Sequence, residues 1–317
     1  MNQINIQEID GFNIGHYTDN IGATGCTAII CKEGAIAGVD VRGGGPASRE
    51  TELLKSTNMV DKIHCVMLSG GSAFGLDAGS GAMEYLEERN IGFNVGVGVV
   101  PIVCGASLFD LVVGDPKARP DKQMGYKACV NSENNMLEEG NVGAGTGATV
   151  GKYLGIDYMM KSGLGTYALQ NGNLKVGALV AVNALGDVID IDTGEIIAGL
   201  LTENKAGFRN TFNVMMDHIE VGKNVFSGNT TLGCIITNAK LTKTQANRIA
   251  TVAHNGFAKA INPVHTSVDG DTIFVLSYGD LAVDVDALGA LSAEVMAKAI
   301  NRAVLMAKSE YGIKGRD

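Results

Sequence analysis

Late in the chain, residues 228–238 read Gly-Asn-Thr-Thr-Leu-Gly-Cys-Ile-Ile-Thr-Asn, a turn dipeptide, two hydroxyl residues and an apolar, β-branched run. A threonine hydroxyl is a weak nucleophile near neutral pH and needs a base beside it. If Thr230 were the first residue of a chain, its own α-amine, with an ordinary pKa of about 7.7–8.0, would suit proton transfer. Making such an end inside a gene requires a cut between Asn229 and Thr230. The hydroxyl can make that cut by attacking the preceding carbonyl, turning the amide into an ester that water opens. The Gly-Asn before it supplies a flexible or strained backbone for the shift. On these residues alone, the plainer reading of a strand entry with two β-favouring threonines is preferred.

Other chemistry-bearing residues are scattered. The six cysteines, Cys26, Cys31, Cys65, Cys104, Cys129 and Cys234, are scattered and form no CxxC pair. They read as reduced, buried, small apolar residues. The five histidines, His16, His64, His218, His254 and His265, lack HxH or HExxH spacing, so each reads as structural and no metal is expected. The glycine-rich run GNVGAGTGATVGKY (140–153) ends in Gly151-Lys152, but a Walker loop needs Gly at Thr146 and Ser or Thr at Tyr153. A dinucleotide fingerprint fits it only as Gly143-x-Gly145-x-x-Ala148, without a clear preceding strand. A turn where backbones pack closely is the better account of the run, and it leaves Lys152 unexplained.

The elements that must position such groups alternate along the chain. Residues 25–31, 35–39, 63–68, 95–103, 176–183, 232–237 and 272–277 read as strands. A helix is expected over about 72–89, carrying Phe74, Ala78, Met83 and Leu86. A second covers about 242–261, capped by Thr242, with Ala246, Ile249, Ala250, Ala253 and Phe257 at helical spacing. A third runs over about 284–310, with Leu288, Leu291, Val295, Ala299, Val304 and Met306. No repeat or low-complexity linker interrupts the 317 residues, so one integrated α/β domain of mixed sheets with helices stacked on them is expected. With 43 glycines against 5 prolines, tight turns and close backbone approaches are expected rather than disorder. A net charge of −9 disfavours nucleic acid or an anionic membrane as partner. The N-terminal stretch has neither the basic nor the apolar region of a secretory signal, and no run is long enough to span a membrane. A cytoplasmic location is therefore expected.

Residues 228–277, GNTTLGCIITNAKLTKTQANRIATVAHNGFAKAINPVHTSVDGDTIFVLS, change the weighting of Thr230. Together with VRGGGPASRET (41–51), LSGGSAFGLDA (68–78), LFDL (108–111) and GNVGAGTGATVGK (140–152), this segment resembles a family of self-cleaving hydrolases. That family includes the L-aminopeptidase/D-esterase, the β-peptidyl aminopeptidases and the nylon-oligomer hydrolase, and the resemblance covers essentially the whole chain. It implies a four-layer α-β-β-α sandwich like that of N-terminal-nucleophile hydrolases. It also implies autocatalytic cleavage at Asn229–Thr230, dividing the chain into 1–229 and 230–317. Carried over by motif, Lys152, Asn183, Asp269 and Asp271 would join Thr230 in a cofactor-free site. Lysine beside the threonine amine would help keep that amine neutral, Asn183 would donate to the oxyanion, and the two carboxylates would orient the cations. Thr266 and Ser267 are weaker candidates for hydroxyl relays, and Thr231 simply begins the strand.

In the aminopeptidase branch of the family a Glu and a Tyr soon after a VP segment bind the substrate's free amine; Ser107 and Phe109 stand there in this chain, and Asp110 is the nearest spare carboxylate. That departure leaves room for an amidase or an endo-acting hydrolase. The expected substrate is a small peptide or peptide-like amide, and the resemblance implies a homo-oligomer of four or more chains. Two rivals stand beside this reading: an acyltransferase like the ornithine acetyltransferases, which also self-cleave before a threonine, and a nucleotide or small-molecule binder using the loop at 140–152.

Overall fold

The computed structural model describes residues 1–220 and 228–317. Its longest strand, β2 (Thr24–Val41), organises the rest. The first part of β2 pairs with β1 (Asn13–Asp19) and, through Cys26–Ile30, with β3 (Lys62–Ser69). The register shifts between Ile30 and Ala35, and Ile36–Val41 then pairs with β8 (Thr272–Leu281). The sequence suggests two strands here because Lys32-Glu33-Gly34 interrupts the apolar run. In the fold the polar pair sits exposed at an irregularity, with Gly34 at φ +75°, and one strand continues from one sheet into the other.

Beyond β8 the order is β7 (Leu232–Ala239), β6 (Leu174–Ala181) and β5 (Leu164–Asn171), with Asn2–Ile4 at the edge; beyond β3 it is β4 (Val103–Ser107) and Ser48–Arg49. The pairs β7–β8 and β3–β4 are parallel and the others antiparallel.

Side-chain alternation divides the core into layers. Leu232, Cys234 and Ile236 of β7 and Phe274 and Leu276 of β8 face Ile29, Val66 and Leu68 across the gap between the two sheets. Their neighbours Ile235, Ile273 and Val275 point the other way, against α3 (Lys243–Ala260) and α4 (Val285–Leu305). On the far side, Ala28, Ile30, Cys65 and Met67 meet α1 (Ala78–Glu87) and α2 (Lys122–Asn131). The order is therefore helices, sheet, sheet, helices, the four layers expected. Each fully buried side chain such as Ile235 or Phe274 contributes about 1.5–3 kcal/mol through loss of apolar surface to water.

The helix over α3 follows its sequence signals. Thr242 accepts from the Gln245 N–H while the Gln245 side chain accepts from the Thr242 N–H, and Ala246, Ile249, Ala250, Ala253 and Phe257 are all buried. α4 stops at Leu305, short of the expected 310, and leaves Met306 exposed. The first expected helix begins as a 3-10 turn over Ser72–Asp77 that leaves the Phe74 ring outside, under the Arg119 guanidinium. Residues 95–103 do not form one strand. Phe93–Asn94 and Val99–Val100 pair as a small exposed hairpin, with Gly96 at φ +86°, and only Val103 onward enters the main sheet. The alternating glycines there leave no side chains on one face to bury. All six cysteines are buried free thiols. No helix among the described residues is long and apolar enough to cross a membrane.

Candidate functional site

Strand pairing determines which loops meet. Because β7 and β8 run parallel with Leu232 opposite Thr272, the residues entering them, 229–231 and 269–271, lie side by side. Because Ala181 of β6 lies opposite Leu232, the chain leaving β6 delivers Asn183 to the same place. Around the Asn229–Thr230 bond the backbone is held on both sides. The Asn229 N–H donates to Val268 O at 3.4 Å, the Gly270 N–H to Asn229 O at 2.8 Å, and the Thr230 N–H to Asn183 O at 2.9 Å. The Thr230 hydroxyl donates to the Asn229 carbonyl oxygen, the peptide oxygen immediately before it. Thr230 and Asn229 are both buried.

Lys152 reaches the same point from the glycine-rich run. Its Nζ donates to Asn183 Oδ1 at 2.7 Å and to Asn183 O at 3.2 Å, so it shares the latter acceptor with the Thr230 N–H. Burial lowers its pKa from 10.5 to about 7, against the pull of Asp269, Asp110 and Asp271. Gly151 makes this placement possible: at φ +70°, with a Cβ position 2.1 Å from Gly199 C and Leu200 N, it accepts no side chain. The run does not open a helix; Thr149–Val150 is a short strand and the lysine turns inward, unlike a phosphate-binding loop.

The Asn183 side chain has two further partners. Its Oδ1 also accepts from the Thr149 N–H at 3.1 Å, and its Nδ2 donates to Phe109 O at 2.9 Å. The Asp269 carboxylate accepts from the Thr266 N–H at 2.9 Å, from the Thr266 hydroxyl and from the Leu185 N–H at 3.4 Å. Burial, and then the charge of Asp271, raises its pKa to about 6. Asp271 accepts from the Thr231 N–H at 2.8 Å through Oδ1, and its Oδ2 binds His265. The VRGGG loop closes over this turn, with the Gly45 N–H on Asp269 O at 2.8 Å and the Arg42 N–H on Asp271 O at 3.0 Å.

The five residues Thr230, Lys152, Asn183, Asp269 and Asp271 thus come together from four separate segments. A cavity of about 190 Å³ opens beside Thr230, lined by Ser72, Ser107, Phe109, Ser267 and the Gly228–Asn229 segment among others, with no charged side chain among its described lining residues. Asp110 lies outside it, accepting from the Thr24 hydroxyl and the Gly71 N–H, each at 2.7 Å. Burial raises the Asp110 pKa to about 6. Thr266 caps Asp269, and Ser267 lines the cavity. A larger cleft, about 870 Å³, shares no lining residue with this site and is bordered by Glu139 and Arg302, which form an ion pair. Among the described residues no group of His, Cys, Asp or Glu is placed to hold a metal ion.

Three features of the site escape a reading of the sequence. Gly270 is one: a Cβ there would lie 2.6 Å from Thr230 Oγ1 and 2.8 Å from Gly45 O. His265 and the Phe109 carbonyl are the others; the only signal for His265 is its place six residues before Asp271.

Residues 5–317 match Peptidase family S58. An uncharacterised aminopeptidase of Mycobacterium leprae is 36% identical, over 97% of this chain and 92% of its own length. The 6-aminohexanoate-oligomer endohydrolase of Paenarthrobacter ureafaciens is 30% identical, over 92% of this chain and 84% of its own. Among solved structures, the L-aminopeptidase D-Ala-esterase/amidase of Ochrobactrum anthropi, described as a variant of the Ntn hydrolase fold, superimposes with a TM-score of 0.71 at 18% identity, covering 95% of this chain and 86% of that one. A Burkholderia β-aminopeptidase gives 0.70 at 18% identity, covering 98% and 90%. The chain belongs to peptidase family S58, with the Ntn hydrolase fold, and is a hydrolase of amide bonds.

Proposed function

We propose that the protein cuts itself between Asn229 and Thr230 and then hydrolyses small peptides or peptide-like amides through an acyl-enzyme on Thr230. One observation carries the reading: the Thr230 hydroxyl contacts the carbonyl before it, and that carbonyl oxygen accepts the Gly270 N–H at 2.8 Å. In self-cleavage the Thr230 oxygen bonds to the Asn229 carbonyl carbon and its proton passes to neutral Lys152. Negative charge gathers on the Asn229 oxygen, against the Gly270 N–H. The C–N bond breaks as the Thr230 nitrogen takes a proton, and water opens the ester to leave an Asn229 carboxylate and a free hydroxyl.

The same hydroxyl then attacks substrate. The new α-amine and Lys152 move the protons, Asp269 and Asp271 orient them, and the departing amine leaves an acyl group for water to release. The Asn183 amide has a second hydrogen beyond the one given to Phe109, and this reading assigns it to the substrate oxyanion. A cavity of hydroxyls and one ring suits a neutral acyl group better than one carrying a free ammonium, which would lose its hydration without a counter-charge. By this reading the enzyme is cytoplasmic, cofactor-free and, by family resemblance, a homo-oligomer of four or more chains.

Thr230→Ala is the test. It should give one undivided band on a denaturing gel and release no free acid from amides such as N-acetylated amino-acid anilides, whereas wild type gives two bands and releases acid without added amine. A variant that retains hydrolysis would overturn Thr230 as nucleophile. Acyl transfer only to an added amine would favour the acyltransferase.

A further inference from the structure

We infer that His265 is a positioning residue for Thr230, acting through Asp271; the inference rests on the proposed nucleophile. His265 holds one carboxylate oxygen of Asp271 twice, through its backbone N–H at 3.1 Å and its ring Nδ1 at 2.8 Å. The other oxygen of that carboxylate takes the Thr231 N–H at 2.8 Å. The relay runs from the imidazole to the carboxylate to the peptide just after Thr230, and so sets how the hydroxyl faces the Asn229 carbonyl.

The ring itself is held. It lies against His254 and Phe257 of α3, with centroids 4.8 and 6.0 Å away, and His254 is fixed by an Nε2 contact to Asp40 O at 3.0 Å. His265 Nε2 is buried with no hydrogen-bond partner among the described residues, so the ring's polar contact is the one that Nδ1 makes with Asp271. His265 adopts φ +58°, a left-handed conformation that disfavours most side chains. The strain is tolerated because this conformation aims both donors at one oxygen. His265 does not line the cavity beside Thr230, so its effect falls on the chemical step rather than on substrate binding.

Two variants that accept this backbone separate the donor from the packing. His265→Gly and His265→Asn both remove the ring from His254 and Phe257, but the Asn amide restores a donor near the Nδ1 position. Self-cleavage is followed on denaturing gels from fresh precursor, and kcat and KM are measured on the cut protein. The Gly variant should be at least tenfold slower in both reactions with KM unchanged, as for a lost hydrogen bond to a charged group, and the Asn variant should stay within about threefold of wild type. Unfolding midpoints of the two should agree within about 3 °C. Equal rates in Gly and Asn variants, both fast or both slow, would overturn the inference, as would an Asn advantage matched by a higher midpoint. An uncut but active wild type would instead sink the nucleophile assignment, which keeps the two failures apart.

Discussion

Lys152 makes a quantitative claim about stability as well as chemistry. Its amine is wholly buried, and burial lowers its pKa from 10.5 to about 7. The unfolded chain keeps the lysine proton until pH nears the ordinary value, whereas the folded chain gives it up near 7. Between those values the unfolded state binds more protons, so stability rises with pH; below about 7 the folded state bears the full cost of a buried charge. At 1.36 kcal/mol per pH unit for a full proton difference, and half of one at pH 7, Lys152 should add on the order of 1–2 kcal/mol between pH 7 and 8.5. Lys152→Met removes the titrating group with little change in side-chain volume. Both proteins should carry Thr230→Ala, so that neither is cut, and be unfolded in urea at the two pH values. The stability of Lys152→Met relative to its parent should fall by on the order of 1–2 kcal/mol from pH 7 to 8.5, because only the parent gains. Taking the difference cancels groups that do not interact with Lys152, including Lys161, which burial also lowers to about 7. A gap that is the same at both values would refute the buried, nearly neutral amine on which the proton-transfer role depends.

Gly270→Ala should slow self-cleavage at least 100-fold on a time-course gel, since its Cβ would lie 2.6 Å from Thr230 Oγ1. Gly151→Ala combines φ +70° with a Cβ 2.1 Å from backbone and should cost more than about 3 kcal/mol in urea unfolding as well as displacing Lys152. Activity against a neutral amide should rise as pH passes through about 7 and Lys152 loses its proton, a limb that a pH–rate profile would reveal. Dialysis against a chelator should leave hydrolysis within about twofold, measured on the same amide.

The parts of the fold legible in the sequence are those governed by local rules. α3 shows its cap at Thr242 and its buried face at helical spacing because both are written within a few residues of each other. β2 reads as two strands because Lys32 and Glu33 satisfy a loop pattern, and only the two partner sheets reveal that the strand continues. Phe74 looks like core, yet tertiary packing leaves it outside. The site is legible in a different way. Lys152, Asn183, Thr230 and Asp269 share no local spacing, since the pairing of β6, β7 and β8 is what assembles them; family resemblance named them, and residue types alone did not. His265 looked structural because a lone histidine carries no signal until its carboxylate partner is known.

Everything proposed for Thr230 depends on one peptide bond. The most direct measurement is the intact mass of the purified, active protein under denaturing conditions, with N-terminal sequencing of each species. Two chains, one beginning Thr-Thr-Leu-Gly-Cys and the other ending at Asn229, are expected. A single full-length chain in an active preparation, or a cut at any other bond, would contradict the account.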